Sequence, residues 1–254
     1  MTPVLVSSEL VVGTNRVVLG LLDENDAPAS DPDIEVVIAP VDPSGQAGSG
    51  IRAKFVWMIE SVVGVYVLKM EFPSADSYEV LIQVKRGGDV LQTTPMTLDV
   101  AQQGTTPAIG SVPPAIETPT ASTPAAIARI STDTQPIPHF YRYSIDEALD
   151  LDKPFVVVFA TPKFCVSAVC GPTLTTVKDV AEQFPEVNFI HVEPYKLPAD
   201  PDDLQLAEPA EAWGLPSEPY VFAIDAKGRV AAKYEGALGA EELTKELREL
   251  TRRK

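Results

Sequence analysis

Cysteine is almost missing from this sequence, whose 254 residues include only two, at positions 165 and 170. Two cysteines are too few for a disulfide scaffold, and their close spacing indicates one local pair. Basic residues are also scarce, with 20 Lys and Arg against 36 Asp and Glu and a formal net charge of −16. This charge argues against binding a nucleic-acid backbone, which needs clustered cations, and is weakly suited to a cationic or metal-carrying partner.

Long apolar runs are missing as well. No segment reaches the roughly 20 apolar residues that a bilayer span requires, so we expect no membrane span. The first residues, Met1 to Pro3, lack the basic and apolar regions of a signal peptide. The sequence contains no phosphate-binding loop and no Gly-rich dinucleotide fingerprint, so we expect no cofactor.

The first hundred residues predict an all-β domain. Short apolar runs separated by turn clusters lie at Arg16–Leu22, Ile34–Ile38, Ile51–Ile59, Val62–Phe72 and Tyr78–Val84. Several strands at this spacing indicate an antiparallel sandwich. The pattern of apolar positions and turns from Gly64 to Val80 resembles immunoglobulin-like bacterial modules, including the YtkA-like group of exported proteins. This resemblance implies an immunoglobulin-like β-sandwich over residues 1–100 that binds, spaces or orients.

The composition changes sharply between Ala101 and Pro138. Thr, Ser, Ala and Pro dominate this segment, and large apolar residues are few. Such a composition is typical of a semi-extended linker that its prolines stiffen. We therefore expect residues 101–138 to be a linker. Because linkers of this kind are common between exported domains, we also expect an extracytoplasmic protein whose leader has been removed.

The remaining residues, 139–254, predict alternating strands and helices in an α/β domain. The predicted strands are His139–Tyr143, Phe155–Ala160, Val187–Val192, Tyr220–Ile224 and Arg229–Tyr234. Helical patterns lie between them, with a terminal amphipathic helix over Gly239–Arg252. The run Phe155–Val158 is apolar throughout, as in a strand buried on both faces.

This order of elements resembles the thioredoxin superfamily over residues 139–254. The matching segments are Phe159–Ala160 before the cysteines, Gly214–Tyr220 and Asp225–Arg229. The resemblance implies a thioredoxin fold in which a cis-proline lies beside the redox cysteines, and Pro219 is its counterpart here. The main chain of Glu218 would then be free to pair with an extended substrate.

The stretch FATPKFCVSAVCGPT contains both cysteines and departs from the family's Cys-x-x-Cys spacing. Residues five apart in a regular helix rise about 7.5 Å and point about 140° apart, which prevents a disulfide. Either Cys165 precedes the helix or the first turn unwinds on oxidation. We favour Cys165 as the nucleophile, because its distance from Phe159 is close to that of the family, with Cys170 as its resolving partner. Lys163 would favour a Cys165 thiolate electrostatically.

A second register remains open in which Cys170-Gly171-Pro172-Thr173 corresponds to a thioredoxin motif whose last cysteine has become threonine. Pro172 favours the first turn of a helix. In either register, a cysteine that leaves a central strand and enters a helix lies where unpaired amides stabilise a thiolate.

The sequence predicts a thiol–disulfide oxidoreductase that acts on protein thiols or disulfides, and three alternatives stay open. Thr161-Pro162 and the C-x4-C spacing resemble peroxiredoxins of the Q type. However, no arginine lies just before the Tyr220 strand to polarise a peroxide, and Arg229 falls beyond the hairpin turn. Two cysteines with His191 resemble Sco-type copper chaperones, since thiolate and imidazole suit copper. The third alternative is an interaction module without catalysis. No metal ligands are assigned, and the carboxylates show no acid–base pair.

Overall fold

The computed structural model describes residues 1–165 and 169–252 and divides the chain into two compact units, Met1–Gly104 and Thr105–Lys254. Residues 166–168 of the cysteine stretch and the last two residues of the terminal domain lie outside the described residues. No helix in the described part of the chain has the length and apolar character of a membrane span.

The first unit is built entirely from β-strands. They are β1 (Thr2–Leu5), β2 (Gly13–Leu22), β3 (Ile34–Pro40), β4 (Ile51–Arg52), β5 (Lys54–Ile59), β6 (Val63–Phe72), β7 (Asp76–Arg86) and β8 (Asp89–Val100). Antiparallel pairing produces two four-stranded sheets, in the orders β1-β2-β6-β5 and β4-β3-β7-β8. Alternate residues of both sheets, such as Leu19, Leu68, Val36 and Ile82, share one core. The predicted antiparallel sandwich is therefore present.

The second unit contains a mixed sheet of four strands, β9 (Phe155–Phe159), β10 (Asn188–Val192), β11 (Tyr220–Ile224) and β12 (Val230–Glu235). Its order is β10-β9-β11-β12, with β10 parallel to β9 and β11 antiparallel to both β9 and β12. The helices are α1 (Pro124–Ile127), α2 (Ile145–Leu149), α3 (Cys170–Ala181), α4 (Glu208–Ala212) and α5 (Ala240–Arg252). This order and these directions are thioredoxin-like, as the resemblance implied.

The central strand β9 has apolar cores on both faces, which explains its run of five buried residues. Val156 and Val158 pack in one core with residues of α3 and α5, including Leu174 and Leu247. The other residues of β9 pack in a second core that contains Trp213. Burial on both sides fixes the position of the chain that leaves β9 toward the cysteines.

The structure differs from the linker expectation for residues 101–138. All but the first four of these residues belong to the second unit, where Thr118 and Ile127 are buried. Main-chain carbonyls of the segment accept hydrogen bonds, such as the one that Trp213 Nε1 donates to Pro114 O at 3.2 Å. Proline lacks an N–H donor, so a Pro-rich chain can pack against a domain with few donors left unpaired. Composition could not distinguish this packed strap from a free linker.

The predicted edge strand His139–Tyr143 is also wrong. Residues Pro138–Tyr141 form a 3-10 turn instead. Proline cannot donate to a strand ladder, and its fixed φ suits the first position of a helical turn. Phe140 and Tyr141 are buried from this turn rather than from a strand.

Candidate functional site

Three chain segments meet at one edge of the mixed sheet. Because β9 and β10 are parallel, the segments that follow Phe159 and Val192 leave the sheet at the same edge. The antiparallel strand β11 begins at this edge, where Tyr220 pairs with Phe159. The topology therefore brings together the cysteine segment, the residues after β10 and the Glu218–Pro219 peptide.

The position of Cys165 settles the question that its spacing raised. Helix α3 begins at Cys170, so Cys165 precedes the helix and the geometry of five residues within a helix does not apply. The backbone N–H of Cys170 donates to Cys165 Sγ at 3.3 Å. Both cysteines are free thiols, Cys165 partly exposed and Cys170 fully buried. A thiolate at Cys165 would thus be stabilised by an amide at the positive end of a 12-residue helix.

Cys170 occupies a different environment although it lies at the start of the same helix. Its contact with the Cys165 thiol and its burial raise the pKa of the Cys170 thiol far above its ordinary value, against a hydrogen bond from the Thr161 backbone. Negative charge on Cys165 and Glu218 raises it further. Cys170 therefore stays protonated at neutral pH until one of these neighbours changes.

Glu218 directs its carboxylate at the two thiols, which the sequence did not predict. A sulfur of each cysteine and one carboxylate oxygen of Glu218 all lie within 4.8 Å of one another. The Tyr195 hydroxyl donates to the Glu218 carboxylate oxygen Oε2 at 3.0 Å. Burial raises the pKa of Glu218, as does the charge of Cys165, while the hydrogen bond from Tyr195 lowers it. The Glu218–Pro219 peptide bond is cis.

Tyr195 is tied to the same cluster. Burial and the charge of Glu218 raise the pKa of the Tyr195 phenol, and both cysteine charges act in the same direction. The phenol therefore remains a hydrogen-bond donor at neutral pH. Its hydrogen bond fixes the orientation of the Glu218 carboxylate beside the sulfurs.

A second carboxylate, Glu193, is buried behind this edge and follows β10 directly. Its Oε2 accepts hydrogen bonds from the backbone N–H of Thr132 at 2.9 Å and from the Thr132 hydroxyl at 2.8 Å. Burial raises the pKa of Glu193, and hydrogen bonds from Thr161 and Thr132 oppose the shift. Through Glu193, these contacts connect Thr132 of the packed segment to Thr161, which lies between β9 and Cys165.

The structure contradicts the copper-ligand role considered for His191. This imidazole is 4% exposed, donates from Nε2 to Ala160 O at 2.9 Å and accepts at Nδ1 from the Tyr141 hydroxyl at 2.7 Å. Burial lowers its pKa to about 4. With both ring nitrogens paired, His191 is a neutral core residue and not a metal ligand.

The two cations considered from sequence each have a contact of their own. Lys163 is exposed, and its ammonium lies 5.1 Å from the centroid of the Phe164 ring. The Arg229 guanidinium donates to Gly110 O at 2.9 Å. Arg229 follows the hairpin turn at the Phe155 end of the sheet, opposite the cysteine edge. It therefore cannot polarise a peroxide at Cys165.

Sequence reasoning found the cysteines and the cis-proline but missed the side chains of Tyr195, Glu193 and Glu218. A usable signal existed for the first two. Both follow a buried strand parallel to the one that precedes the cysteines, and polar residues at such positions collect at one sheet edge. Among the described residues, the trio Cys165, Cys170 and Glu218 is the one group of His, Cys, Asp and Glu side chains close enough to hold a metal ion.

No family model and no curated protein matches the chain. Among solved structures, MTB DsbF in its mixed oxidized and reduced forms is 26% identical with a TM-score of 0.32, over 39% of this chain and 82% of that one. The Lin-41 filamin domain is 13% identical with a TM-score of 0.23, over 40% and 93%. MtrC from Shewanella baltica OS185 is 15% identical with a TM-score of 0.27, over 56% and 28%. TM-scores this low establish no shared fold, so fold and function rest here on strand order and site geometry.

Proposed function

We propose that the second unit is a thiol–disulfide oxidoreductase that acts on protein disulfides through Cys165 and Cys170. The observation that carries this proposal is the hydrogen bond from the Cys170 backbone to Cys165 Sγ, with Cys170 buried behind it. A partly exposed sulfur that accepts a helix N-terminal amide is suited to attack, and a buried sulfur beside it is suited to resolve.

The reaction begins when the Cys165 thiolate attacks one sulfur of a partner disulfide. A bond forms between Cys165 Sγ and that sulfur, and the partner's other sulfur leaves as a thiolate that takes up a proton. Cys170 then loses its proton and attacks Cys165 Sγ, which releases the partner's second thiolate. The net result is two thiols on the partner and one Cys165–Cys170 disulfide, and the reverse sequence oxidises a partner.

We propose that residues beside the thiols bind the partner peptide. The Glu218 carboxylate lies within 4.8 Å of both sulfurs, and we assign the main chain at Glu218 and Pro219 the role of pairing with an extended substrate segment. Exposed Lys163 lies two residues before Cys165 and would contact an acidic partner. We further propose that the first unit, with two antiparallel sheets around a shared core, is an immunoglobulin-like domain and that the protein is extracytoplasmic.

Reduction of insulin by dithiothreitol-primed protein tests the activity, with Cys165→Ser and Cys170→Ser as the variants. We expect Cys165→Ser to abolish turnover. Cys170→Ser should accumulate a mixed disulfide between Cys165 and the partner, visible on a non-reducing gel. Full turnover by Cys165→Ser would exclude this function. Compartment fractionation of the native host tests the extracytoplasmic location, and recovery with cytoplasmic markers would contradict it.

A further inference from the structure

Cys165, Cys170 and Glu218 have the donor chemistry of a metal site as well as of a redox site. Two sulfurs and one carboxylate oxygen lie within 4.8 Å of one another before any ion is present. Thiolate sulfur binds Zn²⁺ at about 2.3 Å and carboxylate oxygen at about 2.0–2.2 Å. Donors at these radii around one tetrahedral ion lie about 3.5–3.8 Å apart, so small side-chain movements bring all three onto a single ion.

The charges in this cluster are all of one sign. Each of the three groups is negative when ionised. Converging anions in a partly buried site repel one another unless a cation lies between them. A divalent cation would remove this repulsion, since a bound metal ion is the largest local charge and deprotonates a coordinating thiol.

A hydrogen bond orients the Glu218 carboxylate in the manner of a metal ligand. The Tyr195 hydroxyl donates to Oε2 of Glu218 at 3.0 Å. Such outer-shell hydrogen bonds fix the orientation of metal-ligating carboxylates. Cys165 and Glu218 are both partly exposed, so a fourth position stays open to water.

We propose that the reduced protein binds one Zn²⁺ through Cys165 Sγ, Cys170 Sγ and a Glu218 carboxylate oxygen, with Tyr195 as the orienting residue. The hard carboxylate oxygen favours a divalent ion of borderline softness over Cu⁺, which would use the thiolates alone. His191, the third ligand that the sequence suggested, takes no part because both its nitrogens are paired.

Metal binding and the disulfide exclude each other in this site. Binding Zn²⁺ releases the two thiol protons. Oxidation of the bound form by a partner disulfide forms the Cys165–Cys170 bond, yields two partner thiolates and releases Zn²⁺. A bound ion therefore opposes oxidation of the two thiols, because the disulfide forms only with release of Zn²⁺. The metal site itself does not depend on the proposed exchange activity.

Competition between the full-length, phosphine-reduced protein and a chromophoric Zn²⁺ chelator tests the proposal. The expected result is one Zn²⁺ per chain, and a Co²⁺-substituted form with a thiolate-to-metal absorption band and tetrahedral d–d bands. Glu218→Gln should weaken Zn²⁺ at least about tenfold, and Cys165→Ser should weaken it more. Glu186→Gln, which changes an exposed carboxylate after α3, is the matched control and should bind as the parent does.

An unchanged affinity in Glu218→Gln would overturn the proposal, because it would show chelation by the dithiol alone. Equal loss in Glu218→Gln and Glu186→Gln would overturn it too, because it would show an effect of net charge. Cu⁺ binding that exceeds Zn²⁺ and ignores Glu218 counts against it in the same way. Insulin reduction in chelator-treated buffer is measured in parallel. Exchange without Zn²⁺ binding removes only the metal site, and Zn²⁺ binding without exchange removes only the proposed enzyme.

Discussion

At the scale of single residues, environment separates two side chains that are chemically identical. Cys165 is partly exposed and accepts the first amide of α3, whereas Cys170 is fully buried beside it. Thiolate character and access control cysteine reactivity, so we expect the two thiols to differ in reactivity although they are five positions apart. The sequence located both residues, and the start of the helix at Cys170 shows that Cys165 precedes it.

We expect iodoacetamide to modify Cys165 at least about tenfold faster than Cys170 in the native, reduced protein. The physical reason is that alkylation requires an accessible thiolate, and burial raises the pKa of Cys170 while blocking approach. Peptide mass spectrometry after timed quenching measures both rates. In urea the two rates should converge, and faster modification of Cys170 in the folded protein would reverse the assigned roles.

His191 makes the stability of the second unit depend on pH. Burial lowers its pKa from 6.5 to about 4, so the folded state holds a neutral imidazole where the unfolded chain is protonated. The free energy of unfolding has its full value, as far as this group is concerned, above pH 6.5. It falls as the pH drops from 6.5 toward 4, by about 3 kcal/mol in all. Asp133 and Lys178 act on the imidazole with opposite signs, and Tyr141 holds its Nδ1.

Urea unfolding of the parent and of His191→Gln at pH 7.5 and pH 5 measures this dependence. The buried carboxylates contribute to the pH dependence of both proteins, and the difference between them isolates the histidine. We expect the parent to lose more stability than the variant as the pH falls. Equal losses would show that His191 is not held neutral in the fold.

At the scale of elements, burial on both faces made the central strands predictable. The strands β9, β10 and β11 lie within a residue or two of their expected bounds because each is mostly apolar and almost wholly buried. Strand β8 was missed because its outer face is exposed over most of its length, so its polar residues mask the strand. The composition of a segment therefore reflects how much of a strand is buried as well as whether a strand forms.

Helix α5 is held to the sheet by a stripe of leucines, which the helical spacing of Leu243, Leu247 and Leu250 predicted. Leu247 is 0% exposed and packs in the core shared with α3. We expect Leu247→Ala to lower the free energy of unfolding by about 2–5 kcal/mol. Glu249→Ala, on the exposed face of the same helix, should change it by less than about 0.5 kcal/mol. Denaturant midpoints measure both, and similar values would contradict the packing of α5.

At the scale of the whole molecule, the segment before the thioredoxin-like sheet belongs to that unit. Its residues satisfy groups far along the chain, as when Thr118 Oγ1 accepts the backbone N–H of Ile145 at 3.2 Å. This segment also contacts the chain between β9 and Cys165, because the Thr132 hydroxyl accepts a hydrogen bond from the backbone N–H of Lys163 at 3.3 Å. The strap therefore forms part of the scaffold of the site.

Ile127→Ala tests this organisation, because Ile127 is 1% exposed within the strap and packs in the core with α3 and α5. A buried isoleucine truncated to alanine costs about 2–5 kcal/mol, whereas a residue in a free linker costs almost nothing. Ile109→Ala in the same segment is the control, since Ile109 is 57% exposed. Thermal unfolding of the full chain measures both variants. A neutral Ile127→Ala would restore the linker interpretation.

The sequence by itself determined the local features: the antiparallel sandwich, the apolar central strands, the terminal amphipathic helix, and a cysteine pair at a strand-to-helix junction. These follow from short-range periodicity and turn chemistry, which a single segment expresses alone. Tertiary structure decided the rest. It packed residues 105–138 into the second unit and paired both ring nitrogens of His191. It also brought the Glu218 carboxylate, which accepts a hydrogen bond from Tyr195, close to the thiols. These outcomes depend on contacts between residues distant in sequence, and no local pattern encodes which polar side chains converge when parallel strands end at one edge.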